Sequence, residues 1–128
     1  MTLRIVRLGT PRLPQEGTRI GAVRRPPRGV RKENYARENW YDVWYPELSP
    51  SAALVARALN AETPKDWTAF TRSFRAEMQA PAANRTLDLL AALSHGADFS
   101  IGCYCADDSR CHRSVLRALL KERGAKIG

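Results

Sequence analysis

The residue types most suited to chemistry are concentrated in one short stretch, between positions 103 and 114. It holds all three cysteines of the chain, one of the two histidines, and several aspartates and arginines. Thiols act as nucleophiles, redox centres or metal ligands, and guanidinium groups bind phosphates and carboxylates. An apolar run precedes this stretch and a helical pattern follows it. Because α/β folds place their sites at such strand-to-helix turns, we expect the site here.

The start of the last predicted helix carries a concentration of positive charge. Arg110, His112 and Arg113 lie where free backbone N–H groups and the helix dipole are already positive. A bound anion would relieve this repulsion, because backbone N–H and guanidinium groups both hydrogen-bond phosphates and carboxylates. We therefore predict an anion site in which Arg110 and Arg113 hold the ligand, and to which Ser114 and Cys105 contribute.

Any reaction at this site would depend on the thiol nearest the helix start. Cys111 is the predicted nucleophile, because a helix N-terminus favours a thiolate. His112 and Asp107 complete the predicted catalytic set, with Asp107 orienting either His112 or Arg28. The pattern is compatible with an enzyme and with a binding protein.

Two other uses of the stretch stay open. The spacing Cys-x-Cys-x5-Cys-His supplies zinc ligand types, but it matches no common zinc finger or ribbon. Adjacent residues on a helix also point about 100° apart, which would separate Cys111 from His112. We therefore assign no metal ligand and no cofactor. Thiol redox chemistry at Cys105 or Cys111, or simple packing of small apolar cysteines, are the remaining alternatives.

The excess charge of the chain lies in its first quarter. Residues 1–32 contain nine basic residues and one acid, Glu16, and so carry the whole net charge of +8. The loop at 24–32 is rich in arginine and proline, which makes it rigid and basic. We predict that Arg24, Arg25 and Arg28 bind the ligand.

The basic loop and the cysteine turn each follow a predicted strand. Because the carboxyl ends of parallel strands meet at one edge of a sheet, we expect residues 24–32 and 105–113 to face each other. Together they predict a pocket for a small anionic ligand of the phosphate or nucleotide type. The alternative is a nucleic-acid-binding module, in which the N-terminal arginines contact several phosphates.

The elements that must position these residues follow from the apolar patterns. Predicted strands cover residues 3–8, 18–23, 40–45 and 99–105. Predicted helices cover residues 33–39, begin at prolines 50, 64 and 81, and finally span 111–123. This order indicates one α/β domain over residues 1–128. We predict a small three-layer fold with a short, largely parallel sheet flanked by helices and with the last strand in its centre.

Composition excludes several classes of protein. The hydrophobic fraction of 44% is typical of a globular domain. No apolar run approaches the roughly 20 residues of a membrane helix, and arginines interrupt the N-terminal apolar stretch, unlike a secretory signal. The odd number of cysteines argues against a secreted disulfide framework. We therefore expect a cytoplasmic protein without a membrane partner, and no feature indicates an oligomeric state.

Several motifs together resemble a known family. Cys105-Ala106-Asp107 with Cys111-His112-Arg113 resembles the Cys-x-Glu…Cys-His-Arg signature of domain of unknown function 488 (DUF488). The segment 24–33 resembles the basic loop of its YeaO-like branch. Further matches to that branch follow in order at Trp40, Leu48-Ser49-Pro50-Ser51, Trp67, Phe70, Phe74-Arg75 and Glu77.

The chain departs from the family pattern at a few positions. Asp107 replaces the usual Glu, Arg24 stands where Asp is usual, and Pro26 stands where an aromatic residue is usual. The resemblance implies a compact α/β domain with a site at the signature, but no established activity.

Overall fold

The computed structural model describes residues 1–105 and 111–128. Within these ranges the chain forms four strands, all parallel: β1 (Leu3–Arg7), β2 (Thr18–Gly21), β3 (Val43–Trp44) and β4 (Phe99–Cys103). Their order in the sheet is β1-β4-β2-β3, so β4 lies inside the sheet, as its apolar sequence predicts. Every residue of β4 is buried. The predicted α/β class with a parallel sheet is confirmed.

The described ranges contain four α-helices: α1 (Ala52–Leu59), α2 (Pro64–Glu77), α3 (Pro81–Leu93) and α4 (His112–Glu122). Helix α2 begins as predicted, because Thr63 and Asp66 form a reciprocal capping box. Helix α1 begins at Ala52 rather than at the predicted Pro50, since the side chain of Ser51 accepts the capping hydrogen bond from the Leu54 N–H. None of the helices in these ranges is long and apolar enough to cross a membrane.

All four helices contribute to one hydrophobic core against a single face of the sheet. The strands and the helices supply its largest apolar side chains: Leu3, Ile5, Ile20, Phe99, Ile101, Leu54, Phe70, Phe74, Leu87, Leu90, Leu116 and Leu120. Leu59, at the end of α1, is exposed and takes no part in this core. The core therefore fixes α4, and with it the start of that helix, relative to the end of β4.

The opposite face of the sheet is organised by a buried ion pair. Arg19 donates to both carboxylate oxygens of Glu16, at 2.7 and 3.0 Å, and both residues are almost fully buried. The same guanidinium donates to the carbonyl oxygens of Thr10 at 2.9 Å and Asn39 at 2.7 Å. The Ser100 hydroxyl donates to Glu16 at 2.7 Å. The network ties the loops that precede β2 and β3 to the sheet.

The segment between β2 and β3 differs from the prediction. The predicted helix at 33–39 is a 3-10 turn at Lys32–Asn34 followed by further turns, and the predicted strand at 40–45 is reduced to β3. Tyr41 explains the difference, because its ring packs over Gly21, where a Cβ atom would lie 2.4 Å from the ring. Tertiary packing thus overrides the strand propensity of the aromatic run.

The buried Glu16 carboxylate predicts sensitivity to acid. Burial by itself would raise its pKa, but hydrogen bonds from Arg19 and Ser100 and the charge of Arg19 outweigh burial and lower the pKa below 4.5. A carboxyl whose pKa is depressed by folding stabilises the protein above its unfolded pKa, and this contribution is lost as the pH falls through the folded value. We therefore expect the free energy of unfolding to decrease as the pH falls from the unfolded pKa of this carboxyl through its lower folded pKa. The decrease should be less steep in Glu16→Gln, which has no carboxyl to protonate at this position. Urea denaturation at several pH values measures this, and equal slopes in both proteins would contradict it.

Candidate functional site

Three cysteines and a histidine converge where β4 ends and α4 begins. Cys103 is the last residue of β4, Cys105 lies in the turn, Cys111 caps α4 and His112 is its first residue. One side-chain nitrogen or sulfur atom from each of the four lies within 4.8 Å of all the others. Cys103 and Cys111 are buried, Cys105 is exposed, and all three are free thiols. This group is called the cysteine–histidine cluster below, and its residue types could hold a metal ion.

The orientation of His112 is set by two contacts. Its Nε2 atom lies 2.7 Å from the carbonyl oxygen of Ala22, and because a carbonyl only accepts, Nε2–H donates. The Nδ1 atom lies 3.8 Å from the Cys111 sulfur. The edge of the ring packs against Phe74, with centroids 5.7 Å apart and planes at 85°. The ring is therefore held with Nδ1 directed into the cluster.

The close approach of Cys111 and His112 corrects the expectation that they diverge. That expectation placed both residues on the helix. In the structure Cys111 is the N-cap, with an extended backbone at φ −133° and ψ 150°, and the helix begins only at His112. The change of backbone conformation between the two residues turns both side chains inward.

The thiols of the cluster are electrostatically unequal. Hydrogen bonds from Cys103 and Cys111, together with the positive charge of Arg113, lower the pKa of Cys105 to about 3. The same hydrogen bond to Cys105, followed by that to Cys111 and by burial, raises the pKa of Cys103. Of the two thiols, the cluster therefore favours the thiolate form at Cys105 and disfavours it at Cys103.

The remaining residues predicted at the turn have different surroundings. Arg113 is buried, and its guanidinium donates to the carbonyl oxygen of Cys105 at 2.7 Å. The Ser114 hydroxyl donates to the carbonyl oxygen of Cys111 at 2.8 Å. Both side chains thus hold the backbone of the turn. Asp107 and Arg110 lie outside the described residues.

The cysteine–histidine cluster forms one wall of a cavity of about 530 Å³, called the thiol cavity below. Its opposite wall is mainly apolar and comes from α1 and α2, with Val55, Trp67 and Phe70 among the lining residues. Arg24 and Arg25 also line the thiol cavity. Arg24 is held there by hydrogen bonds to the carbonyl oxygens of residues 49 and 50, at 3.1 and 3.0 Å.

A second cavity, of about 620 Å³, lies at the same edge of the sheet and is called the basic cavity below. Three arginines line it: Arg7, the last residue of β1, and Arg25 and Arg28 from the basic loop that follows β2. Trp40 and Tyr104 supply aromatic surface. No acidic residue from the described part of the chain lines this cavity, so its lining is positively charged.

Tyr104 separates the two cavities and lines both. Its hydroxyl donates to the carbonyl oxygen of Arg25 at 2.8 Å, and its ring meets Trp40 edge to face with centroids 5.9 Å apart. Arg25 also lines both cavities. The hydrogen bond from the Tyr104 hydroxyl to the Arg25 carbonyl joins the basic loop directly to the turn that carries Cys105.

A model of the active DUF488-N3 subclade matches residues 3–124 of the chain. The chain belongs to the DUF488 family. No curated protein and no solved structure shows significant similarity to this DUF488 protein.

Three signature residues of this DUF488 protein, Cys105, Cys111 and His112, therefore meet in the cluster rather than following one another along a helix. Arg25 brings the basic loop beside them, whereas Arg28 lines the basic cavity. Among the described residues, Arg24 and Arg25 of the basic loop thus line the same cavity as Cys105, Cys111 and His112.

Sequence reasoning missed three lining residues of the basic cavity: Arg7, Trp40 and Tyr104. A signal existed for Arg7, because it ends β1 and the same rule that placed the other loops at the carboxyl edge applies to it. Trp40 had no such signal. It reaches the cavity by packing against Gly9, whose φ of +88° and missing side chain leave room for the indole ring.

Proposed function

We propose that this DUF488 protein binds a small anionic ligand with a planar ring, of the nucleotide type, in the basic cavity. One observation carries the proposal: Arg7, Arg25 and Arg28 line one cavity together with Trp40 and Tyr104. Arginine side chains bind phosphate through paired hydrogen bonds, and aromatic side chains stack on nucleobases. The position of the cavity beyond the carboxyl ends of parallel strands is also the usual place for ligands in open α/β sheets.

The charges of the cavity arginines are available to a ligand. Within the described part of the chain, the side chains of Arg7, Arg25 and Arg28 form no ion pair or hydrogen bond. By contrast, Arg12 pairs with Asp42 and Arg19 pairs with Glu16. A group of unneutralised cations around one concave surface attracts and retains anions.

The same contrast weakens the alternative of an extended nucleic-acid surface. Arg12, Arg19 and Arg24 belong to the basic first quarter, but their guanidinium groups bind carboxylates or carbonyls of the protein itself. Of the six other basic residues in this quarter, Arg7, Arg25 and Arg28 line one cavity, whereas Arg4, Arg31 and Lys32 do not. A local group of arginines around one cavity suits one or two phosphates better than a long polyanion.

Replacing cavity arginines tests the proposal. Isothermal titration calorimetry with adenosine monophosphate and with inorganic phosphate should show binding to the wild type, with the nucleotide bound more tightly. Arg28→Gln and Arg25→Gln should each weaken nucleotide binding by about 10- to 100-fold, because a hydrogen bond to a charged group contributes about 1.5–3 kcal/mol. The Arg25 substitution leaves the backbone carbonyl that accepts from Tyr104 in place.

The matched control is Arg72→Gln, which removes an exposed charge on α2 that lines neither cavity. The affinity of this variant for adenosine monophosphate should equal that of the wild type. Equal weakening by all three substitutions, or unchanged affinity in the Arg28 and Arg25 variants, contradicts the proposal. A steep dependence of oligonucleotide binding on salt, with no binding of the mononucleotide, would instead support the nucleic-acid alternative.

A further inference from the structure

We propose that the cysteine–histidine cluster is a tetrahedral zinc site, with the three sulfur atoms and Nδ1 of His112 as its ligands. This site is separate from the proposed anion site, since none of the four residues lines the basic cavity. The ligand atoms lie within 4.8 Å of one another. Tetrahedral zinc, with bonds of about 2.3 Å to sulfur and 2.0 Å to nitrogen, places its ligand atoms roughly 3.5–3.8 Å apart. Only small side-chain movements are needed to close the cluster around an ion.

The hydrogen bonding of His112 is that of a metal ligand. A metal-binding imidazole usually donates its second N–H to a carboxylate or backbone carbonyl, which fixes the ring and its tautomer. Here Nε2–H donates to Ala22 at 2.7 Å, while Nδ1 lies 3.8 Å from the Cys111 sulfur. Phe74 supports the ring from the side. The lone pair of Nδ1 is thus directed at the sulfurs before any ion is bound.

The ligand set favours zinc over the hard cations. Thiolates and imidazole suit zinc, whereas magnesium and calcium prefer oxygen ligands. Three thiolates and one neutral imidazole give a zinc complex one net negative charge. The buried guanidinium of Arg113, which donates to the backbone of Cys105, lies close enough to offset that charge.

Four protein ligands leave no open position, which is typical of structural rather than catalytic zinc. The ion would link the end of β4 to the start of α4. It would therefore fix Tyr104, which lies between two ligands and forms the partition between the cavities.

Metal titration of the full-length protein tests the inference. The reduced protein, stripped with a chelator, should bind one equivalent of Zn²⁺ by native mass spectrometry and should release it to chelator only slowly. Co²⁺ in place of Zn²⁺ should give the intense visible absorption of a tetrahedral ion and strong sulfur-to-cobalt charge-transfer bands. Because this readout uses the wild-type chain, it does not depend on the folding of any variant.

Substitutions then assign the ligands. Cys111→Ser and His112→Gln should each lower zinc affinity by about 100-fold or more, because replacing a residue that only hydrogen-bonds a metal ligand already costs about 10- to 100-fold. His95→Gln is the matched control, because His95 is the other histidine of the chain and lies at the end of α3, where it contacts the carbonyl oxygen of Gly124.

Two results would overturn the zinc site. One is a stripped, reduced wild-type protein that takes up no zinc. The other is a cobalt form without thiolate charge-transfer bands. Both readouts are made without any anionic ligand, so they do not depend on whether the basic cavity binds a nucleotide. Conversely, the arginine variants test the anion site whether or not zinc is bound.

Discussion

Replacing Arg19 by methionine is expected to lower the free energy of unfolding by about 3–5 kcal/mol, because it leaves the buried carboxylate of Glu16 without its partner. The substitution also removes the donors to the carbonyl oxygens of Thr10 and Asn39. Both carbonyls lie in loops that carry the lining of the basic cavity, next to Gly9 and Trp40. Chemical denaturation monitored by tryptophan fluorescence measures the loss.

Two comparisons separate this effect from a general loss of charge. Arg12→Met breaks the partly exposed pair with Asp42 and should cost about 1 kcal/mol or less. The double variant Glu16→Leu/Arg19→Met should be more stable than the single Arg19 variant, because no unpaired buried charge remains. The interpretation fails if Arg12→Met and Arg19→Met are equally destabilised, or if the double variant is the least stable of the three.

Phe74→Ala is expected to lower the free energy of unfolding by a similar amount, about 3–5 kcal/mol. The Phe74 side chain is fully buried in the core beneath the cluster, between Phe70 and the His112 ring. Its truncation leaves a cavity that the surrounding helices cannot fill completely. Thermal and urea denaturation measure the loss.

A control on a neighbouring helix shows whether the position matters. Leu89 on α3 is more than half exposed, and Leu89→Ala should change the stability little. The loss of stability in Phe74→Leu should be smaller than in Phe74→Ala and larger than in Leu89→Ala, because the leucine side chain fills part of the space. Equal stability of Phe74→Ala and Leu89→Ala would show that the core does not depend on this ring.

The parts of the fold that the sequence predicts are those whose signals are local. Strand β4 is an unbroken apolar run, and its central position follows from that. The start of α2 is encoded by Thr63, Pro64 and Asp66 within four positions. By contrast, the path of residues 33–45 depends on Tyr41 meeting Gly21, a contact that no local pattern indicates.

The site shows the same division between local and distant causes. Its location at residues 103–114 follows from the residue types in that stretch. Whether a given arginine is free to bind a ligand, however, depends on partners that are distant in the sequence. Arg19 and Arg24 both add to the positive charge of the first quarter of the sequence. In the structure, however, Arg19 hydrogen-bonds the carboxylate of Glu16, and Arg24 hydrogen-bonds the carbonyl oxygens of residues 49 and 50. The convergence of Cys111 and His112 depends on one extended backbone conformation at the helix cap, which residue spacing does not reveal.

The meeting of the two ends of the described chain has a practical consequence. Ile127 forms a parallel bridge with Leu3, and the backbone N–H of Gly128 donates to the Leu3 carbonyl at 2.8 Å. Leu3 begins β1, whereas the basic cavity includes Arg7 at the other end of that strand, about 13 Å away at 3.3 Å per residue. A fluorescent label attached beside Leu3 or Ile127 would therefore lie at the opposite end of β1 from the basic cavity and would leave that cavity open to ligands.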